Sequence, residues 1–100
     1  MNKTEARYAR EVLGIRKYAG EILSFRFGDV NLRLAKKTYY KPDFFVLLKD
    51  HTEVHEVKGH WEDDARVKIK VAAEKFREYR FVAVQWNRKI KAWVYEEIVP

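Results

Sequence analysis

The chain has 100 residues, 47% hydrophobic and 15% aromatic, which is enough apolar material for a single packed domain over residues 1–100. The absence of cysteine excludes disulfides and thiolate metal sites, and no apolar run has the length of a signal peptide core or a membrane span. We therefore expect a soluble cytoplasmic protein without a membrane partner, and the formal net charge of +6 favours a polyanionic partner.

The first predicted elements are a helix and two short strands. Apolar residues at helical spacing predict a helix from Asn2 to about Leu13, and Gly14 is expected to end it. Alternating apolar residues then predict two short strands between residues 22 and 34, around a turn at Gly28-Asp29.

The next two segments are stronger strand predictions. Residues 42–49 (PDFFVLLK) are apolar on both faces, as is typical of a central strand, and Pro42 stands at the start, where proline is tolerated. Residues 52–58 (TEVHEVK) follow after a two-residue loop at Asp50-His51, and Gly59 ends the strand.

A helix and a hairpin complete the predicted fold. The helix covers about residues 63–78, and the hairpin pairs residues 80–86 with 90–98. One face of the helix carries four apolar residues, which are Ala65, Ile69, Ala72 and Phe76. The order of elements predicts an α/β or α+β fold in which helices flank a mixed β-sheet.

The pairing of the two central strands predicts a cluster of charged side chains. With a two-residue loop, Phe45 lies opposite Glu56 and Asp43 lies opposite Lys58. Since side chains alternate along a strand, Asp43, Glu56 and Lys58 then share one face at one end of the hairpin. The alternate residues point to the other face, where we expect a core: Phe44, Val46 and Val57.

This cluster has the chemistry needed for metal-assisted phosphodiester cleavage. Asp43 and Glu56 offer hard oxygen ligands for Mg²⁺, which prefers one or two carboxylates together with water and phosphate oxygens. Lys58 would orient the attacking water or stabilise charge on the phosphate, and Gly59 would let a phosphate backbone approach closely. The alternative is a structural ion pair between Asp43 and Lys58 at the end of the sheet.

The same residues resemble a known nuclease signature. Pro42-Asp43 followed, with 12 residues between, by Glu56-Val57-Lys58 is similar to the motif of the PD-(D/E)XK superfamily. The chain also resembles a family of small phage and prophage nuclease-like proteins, through NKTEARYA, YYKPDF, HEVKGHW and DDARVKIK. The resemblance implies a restriction-endonuclease-like αβββαβ core. It further implies a Mg²⁺-dependent DNA endonuclease, with Mn²⁺ able to substitute, that takes part in phage DNA recombination in the cytoplasm of a bacterial host.

The resemblance also implies further members of the active site. Glu5 is the matching carboxylate of the first helix, and the implied metal site comprises Asp43, Glu56, Val57 and Glu5. Glu5 has a structural alternative, since it stands at the third position of a helix capped by Asn2, where glutamate commonly bonds back to the cap. Glu21 is a second-choice carboxylate.

We predict the DNA contacts from the loop after the site and from the following helix. These residues are Gly59, His60, Trp61, Arg66, Lys68 and Lys70. Lys68 lies at the edge of the apolar face of the helix, from where it could also reach the active site. The histidines at 51, 55 and 60 are not expected to converge on a zinc ion, since His55 faces away from Glu56.

The same residues are compatible with two alternative functions, and they lead us to expect a homodimer. The chain could be a non-catalytic DNA-binding or interaction module on a nuclease scaffold, or a nuclease that acts on RNA. Cutting branched or double-stranded DNA symmetrically requires two active sites, so a homodimer is expected, formed through the closing hairpin or the first helix.

Overall fold

The N-terminal helix is longer than predicted, as the computed structural model of the whole chain, Met1–Pro100, shows. It begins as α1 (Lys3–Tyr8), passes through a π-helical turn (Ala9–Leu13) and continues as α2 (Gly14–Tyr18). The prediction that Gly14 ends the helix was wrong. Gly14 keeps helical dihedral angles, and its N–H donates to the carbonyl of Ala9, so the wide turn absorbs one residue without breaking the helix.

Seven strands and one further helix follow. The strands are β1 (Ser24–Phe27), β2 (Leu32–Ala35), β3 (Thr38–Tyr40), β4 (Phe44–Leu47), β5 (Thr52–Lys58), β6 (Tyr79–Asn87) and β7 (Ala92–Ile98), and the helix is α3 (Asp63–Lys75). α3 ends before the predicted residue 78, because Phe76 leaves the helical region of backbone space at φ −111° and ψ 65°. None of the helices has the length and apolar composition that crossing a membrane requires.

Five strands form one mixed sheet in the order β1-β4-β5-β6-β7. Only β5 and β6 run parallel, and α3 provides the crossover between them. The predicted α+β fold, a mixed sheet flanked by helices, is therefore confirmed. β3 was not predicted, and it pairs with β2 in a separate two-stranded sheet.

The register of the central hairpin differs from the prediction by two residues. Phe45 pairs with Val54 rather than with Glu56, and Leu47 pairs with Thr52. The reason is a longer turn, closed by a hydrogen bond of 2.9 Å from the Leu48 N–H to the His51 carbonyl. A shift of two residues preserves the alternation of side chains, so the predicted faces remain correct.

The two faces of the sheet carry two separate cores. Against the N-terminal helix, buried residues of β4, β5 and β6 pack with Tyr8, Leu13 and Ile22; they are Phe44, Val46, Val57 and Val84. Against α3, Phe45, Val54 and Phe81 pack with the buried face of that helix, Ile69, Ala72 and Ala73. The predicted core face of Phe44, Val46 and Val57 is confirmed. One end of β5 extends past these cores and carries the charged residues.

Candidate active site

Glu56 is the most buried charged residue of the protein. It lies on β5 with 5% of its surface exposed. Its Oε2 accepts a hydrogen bond of 2.7 Å from the Tyr40 hydroxyl and a longer one of 3.3 Å from the Asp43 N–H. These two donors fix the orientation of the Glu56 carboxylate and compensate part of its loss of hydration.

Asp43 lies just before β4, opposite Glu56 in the continued register of the hairpin. Its Oδ2 accepts a hydrogen bond of 2.8 Å from the Val57 N–H, and its carboxyl lies within hydrogen-bonding reach of the Glu5 side chain. Burial, and then the negative charge of Glu56, raise the pKa of Asp43 to about 8, with a smaller contribution from the neighbouring Glu5 carboxyl. Asp43 therefore ionises less readily than a free carboxyl, because burial and the neighbouring Glu56 both disfavour its charged form.

Lys58 supplies the one cation in direct contact with the pair. Its Nζ lies 3.3 Å from Glu56 Oε1, and its side chain is 35% exposed. The predicted pairing of Lys58 opposite Asp43 was wrong because of the register shift, and Lys58 instead pairs with Glu56 two positions along the same strand. The face shared by Asp43, Glu56 and Lys58 is nevertheless the predicted one.

The three residues open to solvent through two cavities. Glu56 and Lys58 line a cavity of about 310 Å³, together with Tyr40 and Lys68. Asp43 lines a second cavity, of about 410 Å³, beside Gly28 and the loop that precedes β4. Lys41 lines both cavities, so the charged cluster lies between two solvent-filled openings at one end of the sheet.

Glu5 approaches the cluster but is held by its own helix. Its Oε1 accepts a hydrogen bond of 2.8 Å from the Asn2 N–H, and its N–H donates one of 2.8 Å to the Asn2 side chain. The structure thus contains the capping box that was the alternative to a catalytic role. Glu5 still affects the pKa of Asp43, so the helix start lies next to the carboxylate pair.

The ligand set available to a metal ion is a pair of carboxylates. No group of three or more His, Cys, Asp and Glu side chains is arranged to hold a metal ion. Glu5 lies close enough to Asp43 to raise the pKa of the Asp43 carboxyl, and one of the Glu5 oxygens also accepts the hydrogen bond from the Asn2 N–H. Two carboxylates fit Mg²⁺, which takes its other ligands from water and substrate. Asp43 Oδ1, which does not bind the Val57 N–H, and Glu56 Oε1, next to Lys58, are the oxygens suited to that role.

Tyr40 is a site residue that the sequence did not reveal. It is buried on β3, and burial followed by the charge of Glu56 raises the pKa of its hydroxyl far above the usual range. The hydroxyl therefore stays protonated and donates to Glu56. The available signal was its place three residues before Asp43 in YYKPDF, but β3 itself was not predicted.

The residues predicted to contact DNA are not equivalent in the structure. Lys68 lines the cavity of Glu56 and Lys58, and Lys70 is exposed on the same helix. Arg66 is already paired with Glu96, because one terminal guanidinium nitrogen donates hydrogen bonds to both Glu96 carboxylate oxygens, at 3.0 and 2.8 Å.

The loop after β5 also separates into exposed and packed residues. Gly59 is exposed, and its carbonyl accepts a hydrogen bond of 3.2 Å from Gln85. His60 is exposed beside Glu62, whereas Trp61 packs against the core under α3.

The other face of β5 carries a buried polar chain that does not reach this cluster. His55 lies between the Tyr8 hydroxyl at 2.7 Å and Glu53 Oε1 at 2.8 Å, and His51 lies 2.7 Å from Glu53 Oε2. His60 is elsewhere, paired with Glu62, so the three histidines do not converge. Glu21, the second-choice carboxylate, lies next to Arg16 on α2, near the opposite end of the sheet.

Comparison with known proteins found no relative of this chain. No family model, no curated protein and no solved structure matches the chain.

Proposed function

We propose that the chain is a metal-dependent DNA endonuclease that hydrolyses phosphodiester bonds, with Mg²⁺ as its cofactor and Mn²⁺ as a substitute. The observation that carries this proposal is the carboxylate pair of half-buried Asp43 and buried Glu56, joined by Lys58, at the solvent-open end of the sheet. The motif resemblance and the net charge of +6 support it independently of that geometry.

Each residue of the cluster has a role in such a reaction. Asp43 and Glu56 would hold the cation, which when bound supplies Lewis-acid activation of water and neutralises charge on the scissile phosphate. Lys58, already within 3.3 Å of Glu56, would stabilise the negative charge that grows on the phosphate oxygens as water adds to phosphorus. The attacking water loses one proton as its oxygen bonds to phosphorus, the bond from phosphorus to the leaving oxygen breaks, and the leaving oxygen takes up a proton.

Tyr40 and Lys68 complete the site. Tyr40 is a positioning residue, because its hydroxyl donates to Glu56 Oε2 and so fixes the orientation of that carboxylate. Lys68 lines the same cavity as Glu56 and Lys58, so it is placed to contact a phosphate there.

The test is cleavage of labelled linear and branched DNA in Mg²⁺ or Mn²⁺. We expect the wild-type protein to nick the DNA and Asp43→Asn or Lys58→Ala to lose about a hundredfold or more of the rate. Glu78→Gln is the matched control, since Glu78 is exposed and forms no ion pair. Cleavage that survives both site substitutions would show that the activity arises elsewhere.

One contact favours a second function. Lys58 forms an ion pair with Glu56 at 3.3 Å, a contact that would equally suit a DNA-binding module without catalytic activity. Salt-dependent DNA binding without cleavage in either metal would support that alternative. Competition between matched DNA and RNA substrates separates a DNA-directed enzyme from an RNA-directed one.

We further propose that the enzyme cuts branched DNA as a homodimer, in phage or prophage recombination. The biological setting rests on the family resemblance alone. Symmetric cutting of two strands requires two sites, and the edge strand β7 exposes Val94 and Tyr95, as α2 exposes Ile15 and Tyr18. Sedimentation of the protein with a DNA junction should give two chains per junction, and one chain per junction would exclude paired cutting.

A further inference from the structure

Beside the site, four cations line a groove that the sequence did not single out. Two adjoining cavities, of about 290 and 460 Å³, share Gly59, Trp86 and Arg88 as lining residues. Lys3 and Arg7 of α1 line the first cavity, and Lys89 lines the second. No acidic residue lines either cavity. We call this surface the basic groove and define its cations as Lys3, Arg7, Arg88 and Lys89.

The basic groove begins where the candidate active site ends. Gly59 follows Lys58 directly in the chain, and the Gln85 side chain holds the Gly59 carbonyl from the neighbouring strand. On α1, Glu5 approaches Asp43 while Lys3 and Arg7 line the groove. The basic groove therefore lies at the same end of the sheet as Lys58, on the face covered by α1, and a phosphate chain that leaves Lys58 past Gly59 can enter it.

Arg7 is held in place before any ligand binds. Its Nε donates to Glu11 Oε2 at 2.9 Å, and its guanidinium carbon lies 3.9 Å from the centre of the Trp86 ring. The terminal nitrogens of Arg7 make no hydrogen bond within the protein, and its side chain remains 38% exposed. A stacked guanidinium with free terminal N–H groups is suited to bidentate binding of a phosphate.

The other groove cations are free, in contrast to the arginine of α3. Lys3, Arg88 and Lys89 form no ion pair within the protein, whereas Arg66 is bound to Glu96. Three unpaired cations beside a fixed arginine and without a lining carboxylate form a local excess of positive charge, which attracts a polyanion.

We propose that the basic groove binds the phosphodiester backbone of a DNA strand that extends from the active site. Arg7 and Arg88 contact phosphates, and Trp86 acts through Arg7 as the platform that fixes the guanidinium. The identity of the ligand as DNA rests on the proposed function, and the position of the contact rests on the groove itself. The path of the substrate therefore runs towards α1 and the β6–β7 turn, in addition to the predicted contacts on α3.

The experiment measures binding of fluorescently labelled DNA over a salt series in EDTA, so that no cleavage occurs. Arg7→Ala and Arg88→Ala should each weaken binding about tenfold at moderate salt. Each should also reduce the slope of log K against log salt by about 0.9, the value for one lost phosphate contact. Arg77→Ala is the matched control: it removes the same charge near the start of β6, at the opposite end of the sheet, and should leave the slope unchanged.

Two further variants test the geometry rather than the charge. Arg7→Lys keeps the charge but loses the planar fork, so it should bind less tightly than the wild type and more tightly than Arg7→Ala. Trp86→Leu should weaken binding in the wild-type background and have no added effect on top of Arg7→Ala. Circular dichroism and the melting temperature establish that each variant is folded.

The proposal that the basic groove binds DNA would be overturned if Arg7→Ala and Arg88→Ala kept the wild-type slope of log K against log salt. It would also be overturned if Arg77→Ala lost as much DNA affinity as they do. Tighter binding of a matched RNA strand would overturn the choice of DNA. If the variants show the predicted loss of slope but the wild-type protein does not cleave DNA, the groove is supported as a DNA-binding surface and the proposed catalytic activity is refuted. If the wild-type protein cleaves DNA but the variants keep the wild-type slope, catalysis is supported and DNA binding by the basic groove is refuted.

Discussion

Asp43 and Glu56 share a small space in which Lys58 is the only cation in direct contact. Burial and the charge of Glu56 raise the pKa of Asp43, so an ionised Asp43 is unfavourable for the folded chain when no metal is bound. Such opposition between stability and chemistry is expected at a catalytic site, where charges are placed for the reaction.

Asp43→Asn should therefore stabilise the metal-free protein while it removes cleavage. The amide oxygen can still accept the hydrogen bond from the Val57 N–H, and the repulsion with Glu56 disappears. We expect the melting temperature in EDTA at pH 8 to rise by several degrees, because about 1 kcal/mol shifts it by roughly 4–8 °C in a domain of this size. An unchanged or lower value, against an unchanged Glu78→Gln control, would contradict the repulsion.

Tyr40→Phe should slow cleavage without removing it. The substitution deletes the 2.7 Å hydrogen bond to Glu56 and leaves the ring in the core. Residues that orient a metal ligand in this way usually contribute about 10- to 100-fold, and we expect a loss of kcat in that range. Tyr18→Phe, at a side chain 95% exposed, is the control. Equal kcat values for Tyr40→Phe and wild type would show that the Tyr40 hydroxyl does not contribute to the reaction.

At the scale of single elements, β5 carries different polar systems on its two faces. The face towards α1 holds Tyr8, His55 and Glu53 in one hydrogen-bonded chain beneath the helix. The hydrogen bond with His55 lowers the pKa of Glu53 to about 2 in spite of its partial burial. This chain joins the N-terminal helix to the central strand, so its role is structural.

The pH dependence of stability should report on Glu53. Its pKa in the folded state is lower than in the unfolded state, so its stabilising effect is present above the unfolded value of 4.5 and lost as pH falls towards 2. Thermal unfolding of Glu53→Gln should show a lower melting temperature at pH 7 and a smaller further loss between pH 5 and pH 3 than the wild type. Parallel curves for the two proteins would show that Glu53 is not the group responsible.

The π-helical turn favours glycine at position 14, because it brings the Ala9 carbonyl close to where a side chain would begin. A Cβ at residue 14 would lie 3.1 Å from the carbonyl oxygen of Ala9, closer than ordinary van der Waals contact. Gly14→Ala should therefore lower the melting temperature, although alanine in place of glycine usually stabilises a helix by roughly 0.5–1 kcal/mol. Lys17→Ala, at an exposed position of α2, is the control for helix propensity. A more stable Gly14→Ala protein would show that the turn relaxes without cost.

The sequence predicts the faces of the strands better than their register or their ends. Alternation along β4 and β5 is fixed by burial, so Phe44, Val46 and Val57 were assigned correctly. The register depends on the turn, and Asp50-His51 carries no strong hairpin signal, so the longer turn was missed. β3 has three residues, two of them exposed, which is too little pattern to predict.

The candidate site was predictable in part for the same reason. Asp43, Glu56 and Lys58 come from one hairpin, whose alternation is local in sequence. Tyr40 and Arg7 depend on contacts between elements distant in the chain, namely β3 with β5 and α1 with β6. No local pattern indicates such contacts.

At the scale of the whole molecule, the charged site and the basic groove lie at one end of a sheet whose two faces are covered by helices. The helices and the two cores hold β5 in the centre, so Glu56 and Lys58 emerge from a rigid strand rather than from a loop. The surface at that end combines a carboxylate pair with unpaired cations on both sides, Lys68 on one and the basic groove on the other.

A crystal structure of the protein soaked in Mn²⁺ tests the central claim most directly. We predict an anomalous peak roughly 2.0–2.2 Å from one oxygen of Asp43 and one of Glu56, with water in the remaining positions. Binding of the ion should draw Glu56 Oε1 away from Lys58, whose ammonium would then face the solvent cavity. A fully soaked crystal with no peak between the carboxylates, and with Lys58 still 3.3 Å from Glu56, would contradict the metal site and the proposed reaction with it.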